Sequence, residues 1–112
     1  MRQLSRTADV IQGTLDLLIL KALALGPMHG WGISDRIRRI SDDAFNIGQG
    51  SLYPALHRLE LRDQIASAWQ TTEKNRIARY YELTASGERT LRDEITAWRF
   101  YADAVNRVID AR

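Results

Sequence analysis

The groups best placed to meet another molecule lie in two stretches, Gly50-Ser51-Leu52-Tyr53-Pro54-Ala55-Leu56-His57-Arg58-Leu59-Glu60 and Lys74-Asn75-Arg76. In the first, Leu52, Leu56 and Leu59 recur at i, i+4 and i+7, which puts them on one side of a helix that can be buried. Pro54 falls in what reads as the first turn, where a missing backbone N–H costs little and a fixed φ suits a helix start. Away from the leucines stand Gly50, Ser51, Pro54, His57 and Arg58. Small, hydrogen-bonding and cationic groups at the leading end of a short helix suit entry, N-terminus first, into a DNA major groove.

Other kinds of chemistry find no footing. The chain has no cysteine and two histidines. No Ser/His/Asp arrangement is spaced so that a short helical domain would hold it together, so no enzyme is expected. His29 has no second histidine, cysteine or acid cluster at metal-binding spacing. It reads as a satisfied or solvated histidine, and neither metal nor cofactor is expected. The adjacent Asp42 and Asp43 read as a solvated turn or helix cap rather than an acid/base pair.

A chain of 112 residues, 45% hydrophobic and 27% charged, suits one folded domain with a modest core. The net charge of +2 argues little by itself. Its distribution argues more: Lys74 to Arg79 carries three cations and no acid, whereas the segment after Thr84 balances five arginines against five acids. Met1-Arg2-Gln3-Leu4-Ser5-Arg6 has no apolar leader, and the apolar run Leu15–Leu25 is short and broken by Asp16 and Lys21. A cytoplasmic protein without a membrane partner is therefore expected.

Four helices and a hairpin account for the pattern. Residues 1–9, with Arg2 and Arg6, read as a frayed terminus rather than a DNA-contacting arm. A helix is expected from about Val10 to Leu25, with Asp9 and Gln12 spaced as a capping box and Gly26-Pro27 ending it. Leu15, Leu18, Ile19, Ala22 and Leu23 make one face; Leu17, Leu20 and Ala24 make the opposite one. A helix apolar all round needs cover on both sides, and a partner chain is the expected cover for Leu17 and Leu20. A second helix, Gly30–Ile40, turns Ile33, Ile37 and Ile40 inward, with Trp31 as a core or interface anchor. Ser41–Gly48 is a polar connection plugged by Phe45. The third helix runs from about Gln49 to Arg62 and ends at Asp63-Gln64. Ile65–Thr72 is read as extended, and the alternation Ile77, Arg79, Tyr81, Leu83 gives a second strand, with Glu73–Arg76 as the turn. Thr84 caps a last helix whose Leu91, Ile95, Trp98, Ala102, Val105 and Ile109 step by 4, 3, 4, 3 and 4, a heptad seam suited to dimerisation. The expected fold is mainly α with a small β-hairpin: a winged helix-turn-helix over residues 1–84 and a dimerisation helix over 85–112. Lys74, Asn75 and Arg76 then form the wing tip, positioned for phosphate or the minor groove.

The motifs Gly13-Thr14-Leu15-Asp16-Leu17-Leu18-Ile19-Leu20, Gly26-Pro27-Met28-His29-Gly30-Trp31-Gly32-Ile33, Gly50–Glu60 and Tyr80-Tyr81-Glu82-Leu83-Thr84-Ala85-Ser86-Gly87 resemble, in order and spacing, the PadR family of bacterial transcriptional regulators. The resemblance covers nearly the whole chain. Asn75–Tyr81 together with the short C-terminal helix resembles the small subfamily found widely among acidobacteria. The resemblance implies a dimeric winged-helix repressor that leaves its operator when a signal arrives. Carried over by residue, it gives Gln49, Ser51, Tyr53, Pro54, His57 and Arg58 the recognition-helix role and Lys74, Asn75 and Arg76 the wing role. Ser51 suits a phosphate or a base edge, Arg58 a phosphate or a guanine, and Tyr53 either contact or support of the helix. Two positions depart from the family pattern. Asp63-Gln64 replaces an aromatic and glycine at the end of the recognition helix, where Asp tolerates a left-handed cap. Trp31 replaces a tyrosine, losing the hydroxyl and keeping the aromatic body.

The function expected is a sequence-specific homodimer that represses transcription from a palindromic site on double-stranded DNA. The alternative is a ligand-sensing dimer that holds a small planar aromatic effector against Trp98, Phe100 and Tyr101. A helical scaffold without a DNA role leaves the basic wing tip unexplained.

Overall fold

Gly26 carries a φ of 139°, a value that a side chain strongly disfavours, and this residue ends the first helix of the chain. The computed structural model describes residues 12–112; the expected arm with Arg2 and Arg6, and the Asp9 end of the capping box, lie outside the described residues. α1 spans Gln12–Ala24, and a side chain from elsewhere reaches the carbonyls at its C-terminal end: Arg36 Nη1 donates to Ala22 O at 2.7 Å and to Gly26 O, just past the helix, at 2.8 Å. Periodicity places Arg36 on an outward face; the structure uses it as the cap of a neighbouring helix.

β1, Met28–His29, leads directly into α2, Gly30–Ile40. Two residues are too few to show any alternation, and β1 has no signature in the sequence. His29 caps α2 by accepting the Gly32 N–H on Nδ1 at 2.9 Å, so it is a satisfied histidine as expected. Ile33 and Ile37 are buried, but Ile40 is 66% exposed, because α2 diverges from the core in its last turn. Trp31, also 66% exposed, is not a core anchor. In the connection that follows, Asp42 and Asp43 adopt left-handed φ values of 55° and 67°, and Asp43 pairs with Arg38 at 2.7 Å, the turn role expected of them. Phe45 packs against the core from this loop.

α3, Gln49–Leu61, begins at Gly48 without a side-chain cap. Pro54 therefore lies one turn inside the helix rather than in its first turn, and the carbonyl it leaves without a donor is that of Gly50. The helix closes with a left-handed Asp63 at φ 62°, the Gln64 N–H donating to Leu59 O and the Asp63 N–H to Glu60 O, both at 3.0 Å. This 6→1 and 5→2 pair is a Schellman termination, with Asp in the place that glycine usually fills.

β2, Ile65–Thr71, and β3, Ile77–Leu83, form an antiparallel hairpin, and β1 adds to the far side of β3 in the order β1-β3-β2. The register sets Met28 against Tyr81 and Trp69 against Arg79. α4, Ala85–Ile109, starts at Thr84, whose Oγ1 accepts the Gly87 N–H at 3.0 Å and donates to Asp63 O at 2.6 Å.

The core sits where α1, α2, α3, β3 and the first turns of α4 meet. Ile19, Leu20, Leu52, Leu56 and Leu59 are essentially inaccessible. Here two expected interface residues are corrected: Leu20 is 1% and Leu91 7% exposed within the single chain, and neither is free to face a partner. The second side of α1 is covered by the chain itself, through α4. Leu17 and Ile95 are partly buried against the same core. Beyond Ile95 the helix leaves the body, giving the molecule extents of 57 × 32 × 21 Å. Among the described residues no helix is long and apolar enough to cross a membrane.

Candidate nucleic-acid interface

Burial of Leu52, Ala55, Leu56 and Leu59 fixes how α3 is rolled against the core. The roll leaves Gln49, Gly50, Ser51, Pro54 and His57 exposed on one side, a continuous polar surface along the first half of the helix. Tyr53 stands at its margin, 42% exposed, and its ring lies against the backbone of Gly30. A Cβ at Gly30 would come within 2.5 Å of the Tyr53 hydroxyl, so that glycine is what makes room for the ring. Its packing on Gly30 gives Tyr53 a supporting contact with α2, while its exposure keeps it at the surface of α3.

Arg58 is not on this surface. Its Nη2 donates to Asp16 Oδ1 of α1 at 2.8 Å, the pair is largely shielded, and Arg62 Nη1 stands 3.8 Å from the second oxygen of Asp16. The sequence placed Arg58 opposite the leucines, but its long side chain turns back over α3 toward an acid 42 positions earlier. Arg58 therefore ties α3 to α1. We expect Arg58→Ala to lower the unfolding free energy by roughly 1–3 kcal/mol, because it leaves Asp16 shielded beside a more distant cation. Urea denaturation measures the loss; a change within about 0.5 kcal/mol of zero would dismiss this role.

The hairpin supplies the second part of the surface. At its tip the Thr72 N–H donates to Arg76 O at 2.6 Å and the Asn75 N–H to Thr72 O at 2.9 Å. Thr72 Oγ1 accepts from the backbone of both Lys74 and Arg76 at 3.2 Å, and Asn75 takes a left-handed φ of 60°. The turn is thus shaped by Thr72 and Asn75, which leaves Lys74, Asn75 and Arg76 exposed at its end. Neither Lys74 nor Arg76 has an ion-pair partner among the described residues.

Between α3 and the hairpin runs a groove of about 380 Å³ lined by Gly30, Trp31, Tyr53, Trp69, Arg79 and Tyr81. The Arg79 guanidinium lies 5.4 Å from the centre of the Trp69 ring, and Trp69 is 66% exposed. Neither residue stood out in the sequence, where Trp69 counted as a strand former and Arg79 as one cation of a basic run. Period-2 alternation was the signal available, since it puts Arg79 on the face of Tyr81 and opposite Trp69.

On α4, Trp98 and Tyr101 are neighbours at 6.0 Å, whereas Phe100 is two residues and about 200° further round the helix from Trp98. Phe100 is 72% exposed and shares no face with the other two, so the three do not line one site within a chain.

A helix packed beside a β-hairpin, as α3 is beside β2 and β3, is the geometry of a winged helix, and the sequence profile described as the Transcriptional regulator PadR-like family matches residues 19–93. The chain belongs to that family. Among solved structures, a transcriptional regulator from Clostridium thermocellum is 31% identical, with a TM-score of 0.79 over 88% of this chain and 96% of that one. A Streptococcus mutans protein is 28% identical, TM-score 0.81, over 92% of each chain. A PadR family transcriptional regulator from Eggerthella lenta is 28% identical, TM-score 0.77, over 96% of this chain and 92% of that one. This PadR-like chain thus has the winged helix-turn-helix fold of a family of transcriptional regulators, not of enzymes. The profile spans α2, α3 and the hairpin whole and stops in the first turns of α4, so the residues that the fold brings to one surface are inside it.

Proposed function

We propose that the protein is a sequence-specific DNA-binding repressor that acts as a homodimer on a palindromic operator. One observation carries this reading: a helix held by its buried leucines leaves Gln49, Ser51, Pro54 and His57 exposed, and the hairpin of the same winged fold ends in exposed Lys74 and Arg76, which have no ion-pair partner among the described residues. Gln49, Ser51, Pro54 and His57 read base edges in the major groove, with Tyr53 buttressing them, while Lys74, Asn75 and Arg76 meet phosphates or the minor groove. Repression is by occupation of the promoter site, which places the protein in the cytoplasm with the DNA.

Residues 85–112 are the pairing element. Trp98, Val105 and Ile109 are 45%, 38% and 69% exposed on one stripe with Ala102, and a lone chain leaves that stripe in water. With Leu20 and Leu91 spent on the core, the pairing surface is this outer half of α4, together with the partly covered Leu17 and Ile95. A twofold pair of chains sets the recognition helices about one helical turn apart. The Trp98–Tyr101 pair supports a second reading, in which the same interface also holds a small planar aromatic effector.

The test is a fluorescence-anisotropy titration of a labelled random-sequence 30-base-pair duplex from about 50 to 200 mM salt, with sedimentation equilibrium on the free protein. Affinity should fall linearly on a log–log plot, with a slope near −0.9 for each phosphate neutralised. A monomer with no affinity for the duplex at the lowest salt would refute the proposal.

A further inference from the structure

The wing is joined to the recognition helix by a short polar relay. Glu60, on the last turn of α3, accepts a hydrogen bond from Ser67 Oγ of β2 at 2.6 Å. The same Ser67 oxygen accepts from Arg79 Nε of β3 at 2.8 Å. Arg79 Nη2 stands 3.6 Å from Glu60, and the guanidinium plane is backed by Trp69. One hydroxyl, donating to the helix and accepting from the far strand, therefore ties all three elements together. The hairpin has few other ties at this level: beyond Ser67 its α3-facing residues Trp69, Thr71 and Ile77 are exposed, and β1 pairs only with Tyr80 and Tyr81.

We infer that Glu60, Ser67 and Arg79 are positioning residues that fix the pitch of the wing against α3, so that Lys74 and Arg76 reach phosphates while α3 is seated in its groove. The inference rests on the DNA-binding reading above. An arginine suits this post because its planar fork can serve the hydroxyl, the carboxylate and the indole face at once, which an ammonium cannot. Without the relay, the two strands beyond Ser67 swing as a unit about the base of the hairpin. The tip then spends less time within reach of the backbone that α3 straddles.

A positioning role has a signature that a charge or stability effect lacks. Ser67→Ala and Arg79→Lys both leave the net charge unchanged, yet each should lower the salt slope for the random-sequence duplex, by about 0.9 for each wing cation withdrawn from a phosphate. Ser67→Thr keeps the hydroxyl and suits a strand, and should restore the wild-type slope. In a Lys74→Ala/Arg76→Ala background, Ser67→Ala should change the slope no further, since no tip cation remains to be misplaced. Wild-type slopes in both Ser67→Ala and Arg79→Lys would overturn the inference. So would an undiminished effect of Ser67→Ala in the tip-less background, which places its cause elsewhere. Failure of the wild-type protein to bind the duplex at all defeats the DNA-binding reading itself, a result distinct from either.

Discussion

Replacing Gly87 by alanine should lower the melting temperature by roughly 5–15 °C, the largest effect we expect from a single methyl group in this chain. Gly87 is buried in the first turn of α4, and a Cβ built there lands on the carbonyl oxygen of Gln64, 3.0 Å from its carbon and 3.2 Å from Leu83 Cδ2. A backbone carbonyl cannot rotate away as a side chain does. This one also accepts the Thr84 N–H at 3.1 Å, while the Thr84 hydroxyl holds the Gly87 N–H, so the helix start cannot retreat without losing its cap. Against this stands the gain of about 1 kcal/mol that alanine normally brings over glycine within a helix. Overpacking of about 1–3 kcal/mol or more, plus about 1 kcal/mol for a damaged cap, outweighs it. Gly13→Ala is the control: an exposed helical site with open space around its Cβ, where the same change should be neutral or mildly stabilising. Equal melting temperatures for Gly87→Ala and the wild type would show that the joint between α3 and α4 is looser than its geometry.

The second large effect belongs to the wing. Lys74→Ala/Arg76→Ala should reduce the salt slope by about 1.8 for each wing engaged. For one wing this corresponds to a loss of on the order of 200-fold in affinity at about 50 mM salt, shrinking to on the order of 20-fold at about 200 mM. Both residues are exposed and make no ion pair among the described residues, so stability should stay within about 0.5 kcal/mol of the wild type. The loss should be the same for any duplex sequence, because phosphate contacts carry no base information. Substitutions at Ser51 or His57 should instead change which sequences are preferred. A double variant with an unaltered slope would remove the wing from the interface.

What the sequence disclosed and what it hid divide along a physical line. α2 was legible to the residue, and the hairpin nearly so, because periodicity and turn chemistry are local properties. Asp63 could be read as a left-handed cap for the same reason, and its φ of 62° bears this out. Thr84 as a cap is likewise a statement about four consecutive residues. Long-range choices were not legible. Nothing near Arg58 says that Asp16 will claim it, and nothing near Arg36 says that α1 ends within its reach. Leu20 and Leu91 showed which side of their helices is apolar but not whose residues cover it. Ile40 keeps the right phase and still escapes the core, since phase says nothing of where two helices part. Trp31 was legible as an aromatic in a telling place; that it lines a groove beside Trp69 depends on a two-residue strand too short to leave a pattern.

Residue 64 sits at a crossing of loads. Its N–H closes the end of α3, its carbonyl receives the Thr84 N–H and bears against Gly87, and its side-chain amide donates to Thr90 Oγ1 at 3.3 Å. α3 and α4 are thus joined through this one residue. A 25-residue helix is about 37 Å long, so a tilt of some 10° at that joint sweeps its far end by about 6 Å. In the homodimer proposed above, the same lever turns any change of crossing angle between the two α4 helices into a changed separation of the two α3 helices.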